Sequence, residues 1–260
     1  MRWSVLFGAL LCAMPAAAEL AGWRYSWIIV LGEVHDNPAH HRNQAQLVAA
    51  IKPAALVFEM LSPEQVAETM GVDRTDALAL GTALGWKDAG WPDFAMYAPI
   101  FAAAPDAILI GAALPEGAII SALDTSAAAV FGADAANFGL IPLAPEDQAA
   151  REAEQSEAHC GALPSEMLSG MVEVQRLRDA HFARVTLAAL ETYGERVVLI
   201  TGSGHARNDI GVPAALRAAR PDVRVFSVGQ YESDPGPDAP YDAIVWTAPV
   251  DRPDPCLAFQ

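Results

Sequence analysis

Positive charge is scarce in this 260-residue chain. It has 16 lysine and arginine residues against 32 aspartate and glutamate, a formal net charge of -16. That balance excludes nucleic acid, or an anionic membrane surface, as a partner held by bulk electrostatics. The apolar run at the start, Val5 to Ala13, is too short for a membrane span. Cysteine is nearly absent, with Cys12, Cys160 and Cys256 alone. What the chain does have is apolar bulk: 53% of its residues are hydrophobic. That is enough to bury one substantial α/β core and a helical insert.

The first residues read as an export signal: Arg2 supplies the positive start, Val5 to Ala13 the apolar core, and Ala16-Ala17-Ala18 the small residues for cleavage. Removal of residues 1–18 leaves a soluble periplasmic protein. A lipoprotein signal needs a small residue ahead of its cysteine, and Leu11 precedes Cys12, so lipid anchoring is not expected. Cys160 and Cys256 then remain as an even pair in an exported chain. They read as a disulfide tying the C-terminal tail to the middle of the chain.

The chain is organised around Ile28-Ile29-Val30-Leu31-Gly32-Glu33-Val34-His35, an apolar strand followed by a glycine, a glutamate and a histidine. The pattern returns as Val197-Val198-Leu199-Ile200-Thr201-Gly202-Ser203-Gly204-His205. A third strand, Ala55 to Phe58, ends in Glu59. In an open α/β sheet, ligands collect at the carboxyl ends of strands. Glu33, His35, Glu59 and His205 are therefore expected to converge and to be candidate metal ligands. The bland alternative is a pair of hydrogen-bonded core histidines.

A helix follows over 39–52, stopped by Pro53, with His40 and His41 in its first turn, either approaching the strand-end site or, as the safer reading, exposed residues of a polar turn. Ser62-Pro63-Glu64-Gln65 has the spacing of a capping box, and the following helical stretch breaks at Gly71 and Gly81. Asp93 caps a helix carrying Phe94, Tyr97, Ile100 and Phe101. Aromatics at that spacing are usually core, yet Trp86, Trp91, Met96 and Tyr97 are what a flat apolar cofactor needs. Residues 124–145 show weak periodicity and no firm element. A long helix spans Ser165 to Tyr193, capped by Ser165 and closed by Gly194, and puts Gln175, Arg178 and Asp179 on roughly one face. Arg178 there meets an acidic ligand group, meets a strand-end glutamate, or is part of a salt-bridged surface helix. A helix from Pro213, a strand over 223–228 and a last strand over 243–246 complete the chain. The expected architecture is α/β: a mostly parallel central sheet flanked by helices in one domain over 19–260. A largely helical insertion, about 69–161, separates two βα halves.

Taken together, Gly32-Glu33-Val34-His35-Asp36-Asn37-Pro38, Phe58-Glu59-Met60, Trp91-Pro92 through Tyr97, Gln175 with Arg178-Asp179, and Gly202-Ser203-Gly204-His205 through Pro213 give the chain a resemblance. It resembles the ChaN-like haem-binding uptake proteins of the Tiki superfamily, over nearly the whole mature length. The resemblance implies an exported bacterial α/β protein that binds haem or iron for uptake. The wider superfamily includes metal-dependent proteases with two Gly-x-x-His motifs and a glutamate, and erythromycin-esterase-like hydrolases. This chain departs from its relatives in carrying His181-Phe182 where they have a small or polar residue and then Met, and in its poor lipoprotein signal.

Two functions follow as expectations. In the first, Trp91, Met96, Tyr97 and Arg178 hold a haem for uptake, with the axial ligand open among tyrosine, histidine and methionine. In the second, His35, His205 and one glutamate bind a divalent metal, and the other of Glu33 and Glu59 is general base in a metal-dependent hydrolase. The oligomeric state is left between monomer and homodimer.

Overall fold

The computed structural model describes residues 20–254 together with 256 and 257; the expected export signal lies outside the described residues. Six strands form one sheet: β1 (Ile28–Leu31), β2 (Ala55–Phe58), β3 (Ile108–Gly111), β4 (Val197–Ile200), β5 (Val225–Tyr231) and β6 (Ala243–Trp246). Their order is β3-β2-β4-β1-β5-β6, and every neighbouring pair is parallel. β1, β2 and β4 are buried at every position, which is why their sequences are unbroken apolar runs rather than alternating ones.

The helices are α1 (Pro38–Ile51), α2 (Pro63–Ala67), α3 (Ala77–Ala83), α4 (Phe94–Ala102), α5 (Glu116–Asp124), α6 (Ala127–Phe131), α7 (Pro145–Ala158), α8 (Ser165–Tyr193) and α9 (Val212–Ala219). Successive strand residues point to opposite faces. Ile29, Leu31, Leu56, Phe58, Val198 and Ile200 pack with Val48 and Ile51 of α1 and with Tyr97, Ile100 and Phe101 of α4. Ile28, Val30, Val57, Val197 and Leu199 pack with Phe182, Ala183 and Leu187 of α8 and with Val212 and Leu216 of α9. Each large side chain so buried stabilises the fold by about 1.5–3 kcal/mol before entropy is counted.

Local chemistry sets the ends of these elements. Asn37 accepts the Ala39 N–H and Pro38 opens α1. The capping box of Ser62 and Gln65 forms as its spacing predicts, and Asp93 caps α4 by accepting from Ala95. Two expectations need correction. Gly81 does not break its helix; it lies inside α3, where an added Cβ would stand 2.8 Å from the Phe94 ring, so the glycine lets α4 pack close. Ser165 is the first residue of α8 and makes no capping bond, the preceding position being Pro164. The stretch 69–161 carries α3 to α7 and also contributes β3 to the sheet edge beside β2.

Residues 124–145 fold as α6 and a short 3-10 turn, Ala135–Phe138. There Phe131, Ala135 and Leu140 pack with Val174, Leu177 and Ala180 of α8 in a third apolar cluster. Cys160 and Cys256 form a disulfide, so the tail is tied to the turn after α7 as the cysteine count predicts.

Candidate functional site

β2, β4 and β1 are adjacent, so the residues following them meet at the carboxyl edge of the sheet. Glu33, His35, Glu59 and His205 arrive there as two carboxylate–imidazole pairs. In the first, Nδ1 of His35 lies 2.8 Å from Oε1 of Glu33, and the Tyr97 hydroxyl donates to the same oxygen at 2.6 Å. A carboxylate only accepts, so Nδ1 of His35 carries the proton and Nε2 keeps its lone pair in the neutral ring. Glu33 and Tyr97 are buried, whereas the His35 side chain is 33% exposed. Burial opposes the charged form of His35, but the hydrogen bond and charge of Glu33 outweigh it and raise its pKa above 6.5. Burial, then the Glu33 charge, holds the Tyr97 hydroxyl far above its ordinary value, so it stays protonated and donates.

In the second pair, Asp179 of α8 lies 2.7 Å from Nδ1 of His205, and Nε2 of His205 faces Oε1 of Glu59 at 3.7 Å. Arg178 approaches that same oxygen at 3.6 Å, so both are ion-pair contacts longer than a hydrogen bond. The other Glu59 oxygen accepts the Thr201 hydroxyl at 2.6 Å and the Gly202 N–H at 2.9 Å. Burial alone would raise the Glu59 pKa, but His205, His35, Arg178 and the Thr201 bond push it down to about 2. Burial likewise opposes the charged form of His205, and Glu59 and Asp179 overcome it to raise the pKa. Gly202 lies between the pairs: a Cβ there would stand 3.2 Å from Nε2 of His35 and 3.9 Å from Oε2 of Glu59.

His40 and His41 are not the exposed turn residues expected; both are fully buried. Nδ1 of His40 accepts the Val34 N–H at 2.9 Å, while its Nε2 meets the Tyr231 carbonyl at 3.2 Å. Nε2 of His41 donates to the His35 carbonyl at 2.8 Å, and its Nδ1 lies 3.4 Å from Glu33. The physical reason is that the first turn of α1 is closed over by the loop after β1, the end of β5 and the C-terminal segment at Thr247. Sequence reasoning also missed Asp179 and Thr201 as site residues. Their partners lie 26 and 142 residues away in the chain, and the Arg178-Asp179 pair on the face of the long helix was the one signal for Asp179.

The aromatic stretch meets a cavity of about 680 Å³ beside this cluster, lined by Leu78 and Gly81 of α3, Trp86, Trp91, and Phe94 of α4, with Lys87 also on its wall. Trp91 also packs against the His35 ring, centroids 5.0 Å apart at 58°. Of the expected cofactor residues, Trp91 therefore faces the cavity. Tyr97 is turned into the Glu33 network, Met96 packs against the core, and Arg178 pairs with Glu59. The cavity's walls fit a flat apolar ring. Among the described residues, no group of three or more His, Cys, Asp or Glu is arranged to hold a metal ion. The four strand-end groups do meet, with Nδ1 of His35 on Glu33, Nδ1 of His205 on Asp179, and Nε2 of His205 facing Glu59.

The sequence model of the haem-binding uptake family, Tiki superfamily, ChaN, matches residues 20–216. Among solved structures, ChaN of Campylobacter jejuni, described with cofacial haem binding, superposes with a TM-score of 0.66 at 20% identity, over 88% of this chain and 90% of that one. That likeness is one of fold. The type III effector HopBA1 follows at a TM-score of 0.45 and 12% identity, over 85% of this chain and 88% of that one. An erythromycin esterase mutant in its open conformation reaches 0.39 and 12%, over 87% and 76%. No curated protein matches the chain.

Proposed function

The chain belongs to the haem-binding uptake family of the Tiki superfamily, the ChaN type, and we propose that it binds haem in the cavity between α3 and α4. The observation that carries this reading is the cavity itself. It is of ligand size, walled by Leu78, Trp86, Trp91 and Phe94, and adjoins a cluster of imidazoles and carboxylates. A porphyrin face released from water onto such walls is stabilised at about 25 cal/mol per Å² of apolar area. Lys87 offers a cation to a propionate without demanding fixed geometry. When bound, the group supplies an iron centre open to ligation, and the chain's own walls exclude water from one face.

The reading extends to an exported protein that carries haem or iron for uptake in the periplasm, and to a homodimer. The Cys160–Cys256 disulfide supports an oxidising compartment. The test is a haem titration of residues 19–260 followed by absorption. A saturable Soret shift is expected, and Leu78→Asp should weaken binding at least tenfold. Leu78 lines the cavity at 82% exposure, so the change adds a charge without disturbing the core. Absence of a saturable shift, or full affinity in the variant, overturns the reading. Sedimentation with and without haem tests the dimer.

A further inference from the structure

We propose that a second cavity, lined by α7, α8, α9 and the loop 138–143, binds a small zwitterion of the amino acid class, with Arg151 holding the carboxylate and Asp179 the ammonium group. The proposal is independent of the haem reading. This cavity measures about 190 Å³ and shares no lining residue with the aromatic one. At about 30 Å³ per water it has room for roughly six. That admits a molecule of amino acid size and excludes a porphyrin or a peptide.

Two opposite charges line this space without touching. Arg151 of α7 is half-buried, yet it makes no hydrogen bond and no ion pair with any described residue. Its whole guanidinium fork is therefore open to a ligand. Asp179 of α8 is buried, and its hydrogen bond to Nδ1 of His205 uses Oδ1. Oδ2 accepts nothing from the described residues, so the side chain lines the cavity with an unused oxygen. The cavity's other charges are already matched. Arg176 donates to Glu173 at 2.7 Å and to the carbonyls of Gly139 and Ile141. Asp209 accepts from Arg207 at 3.0 and 2.7 Å and from the Ile210 N–H.

That distribution selects the charge of the ligand. A simple anion gains Arg151 but meets Asp179 and Asp209; a simple cation gains Asp179 but meets Arg151 and Arg176. A zwitterion answers both open groups and adds no net charge to a chain already at -16. Its carboxylate can take two parallel N–H donors from Arg151, and its ammonium group gives Oδ2 of Asp179 the donor it lacks. Leu140, Leu143 and Ile210 leave an apolar wall for a small hydrocarbon side chain. The wall is preformed, because Arg176 ties the 139–141 backbone to α8.

The test is isothermal titration of the full mature chain, without haem, using glycine, L-alanine and L-valine as probes. At least one should saturate with a Kd below about 1 mM. The matching deaminated acid and decarboxylated amine each keep one charge and should bind more weakly by roughly tenfold or more. Arg151→Gln should weaken the amino acid by roughly tenfold or more, the loss of a charge-assisted bond. Ala214 is a half-buried residue of the cavity wall, so Ala214→Leu fills the space while leaving both charges, and should abolish binding. The His205 ring resonances should move as the amino acid is added, because Asp179 holds that ring. Failure of all three probes to saturate overturns the proposal, as does full affinity in Arg151→Gln or in Ala214→Leu. If both variants misfold by circular dichroism, the wild type decides alone: an acid or an amine that binds as tightly as its amino acid overturns the zwitterion assignment.

Discussion

Asp179 and His205 stand 2.7 Å apart, Oδ1 to Nδ1, joining the long helix α8 to the loop after β4. Both are largely buried. The contact orients the His205 ring so that its Nε2 faces Glu59, and through Glu59 it reaches Thr201 and Gly202. One ion pair thus couples a covering helix to the ends of two strands.

Asp179→Asn retains the shape and an accepting oxygen but removes the charge. The His205 pKa, raised now by Glu59 and Asp179 against burial, should fall. Stability should drop by roughly 2–3 kcal/mol, the scale of a buried charge-assisted hydrogen bond. The His205 ring resonances followed against pH report the first effect and urea unfolding the second. An unchanged midpoint would show that Asp179 does not set the protonation of that ring.

The same shifts predict how stability varies with pH. Glu59 has its pKa lowered from 4.5 to about 2, so its contribution is present above pH 4.5 and lost as pH falls toward 2. His35 and His205 are raised above 6.5, so their contributions are present below pH 6.5 and lost as pH rises through their folded values. Burial lowers His40 and His181, the latter to about 4, so both favour the unfolded chain increasingly as pH drops below 6.5. Stability should therefore peak near pH 6.5 and fall on both sides. Urea midpoints measured from pH 4 to pH 9 test this, and a flat profile across that range would falsify it.

The sheet was legible because a strand buried on both faces is an unbroken apolar run, and three such runs end in Glu33, Glu59 and the segment leading to His205. The convergence of those residues followed from parallel pairing alone. What could not be read was how the converging groups share protons and partners. Thr201 reaches Glu59 across 142 residues, and Tyr97 reaches Glu33 across 64. His40 and His41 were misread for a related reason. A helix's first turn usually faces water, and only the tertiary closure at Thr247 and Tyr231 buries this one. Gly81 looked like a helix break because nothing local announces the Phe94 ring that needs its space.

Tyr97→Phe removes one hydroxyl and leaves the ring packed against Trp86 and His41. Glu33 then loses a 2.6 Å donor in a buried setting, while keeping His35. The expected cost is about 1–3 kcal/mol, a fall in Tm of roughly 2–10 °C for a chain of this size. Calorimetry decides it. A Tm equal to wild type would mean that the hydroxyl's bond to Glu33 is no better than one to water.

The C-terminal segment is held twice, and the two holds should be separable. Arg252 donates to both oxygens of Asp36, at 2.7 and 2.8 Å, and to Glu232, while Glu232 also accepts from Asn37 at 2.8 Å. The segment thereby clamps the turn that directly follows His35. Four residues on, Cys256 is bonded to Cys160, closing a loop with a sequence separation of 96. Chain-entropy reasoning gives a loop of that length about 4–5 kcal/mol, but a tail can fray without unfolding the core, so the measured loss of global stability on reduction should be smaller. Hydrogen exchange separates the holds. Reduction should raise exchange at Val250, whose N–H is bonded to Glu232 at 3.1 Å, with less effect at Asp36 and Asn37. Arg252→Ala with the disulfide intact should raise exchange at Asp36 and Asn37. If reduction alone exposes both places equally, the ion pairs depend on the disulfide and the two holds are one.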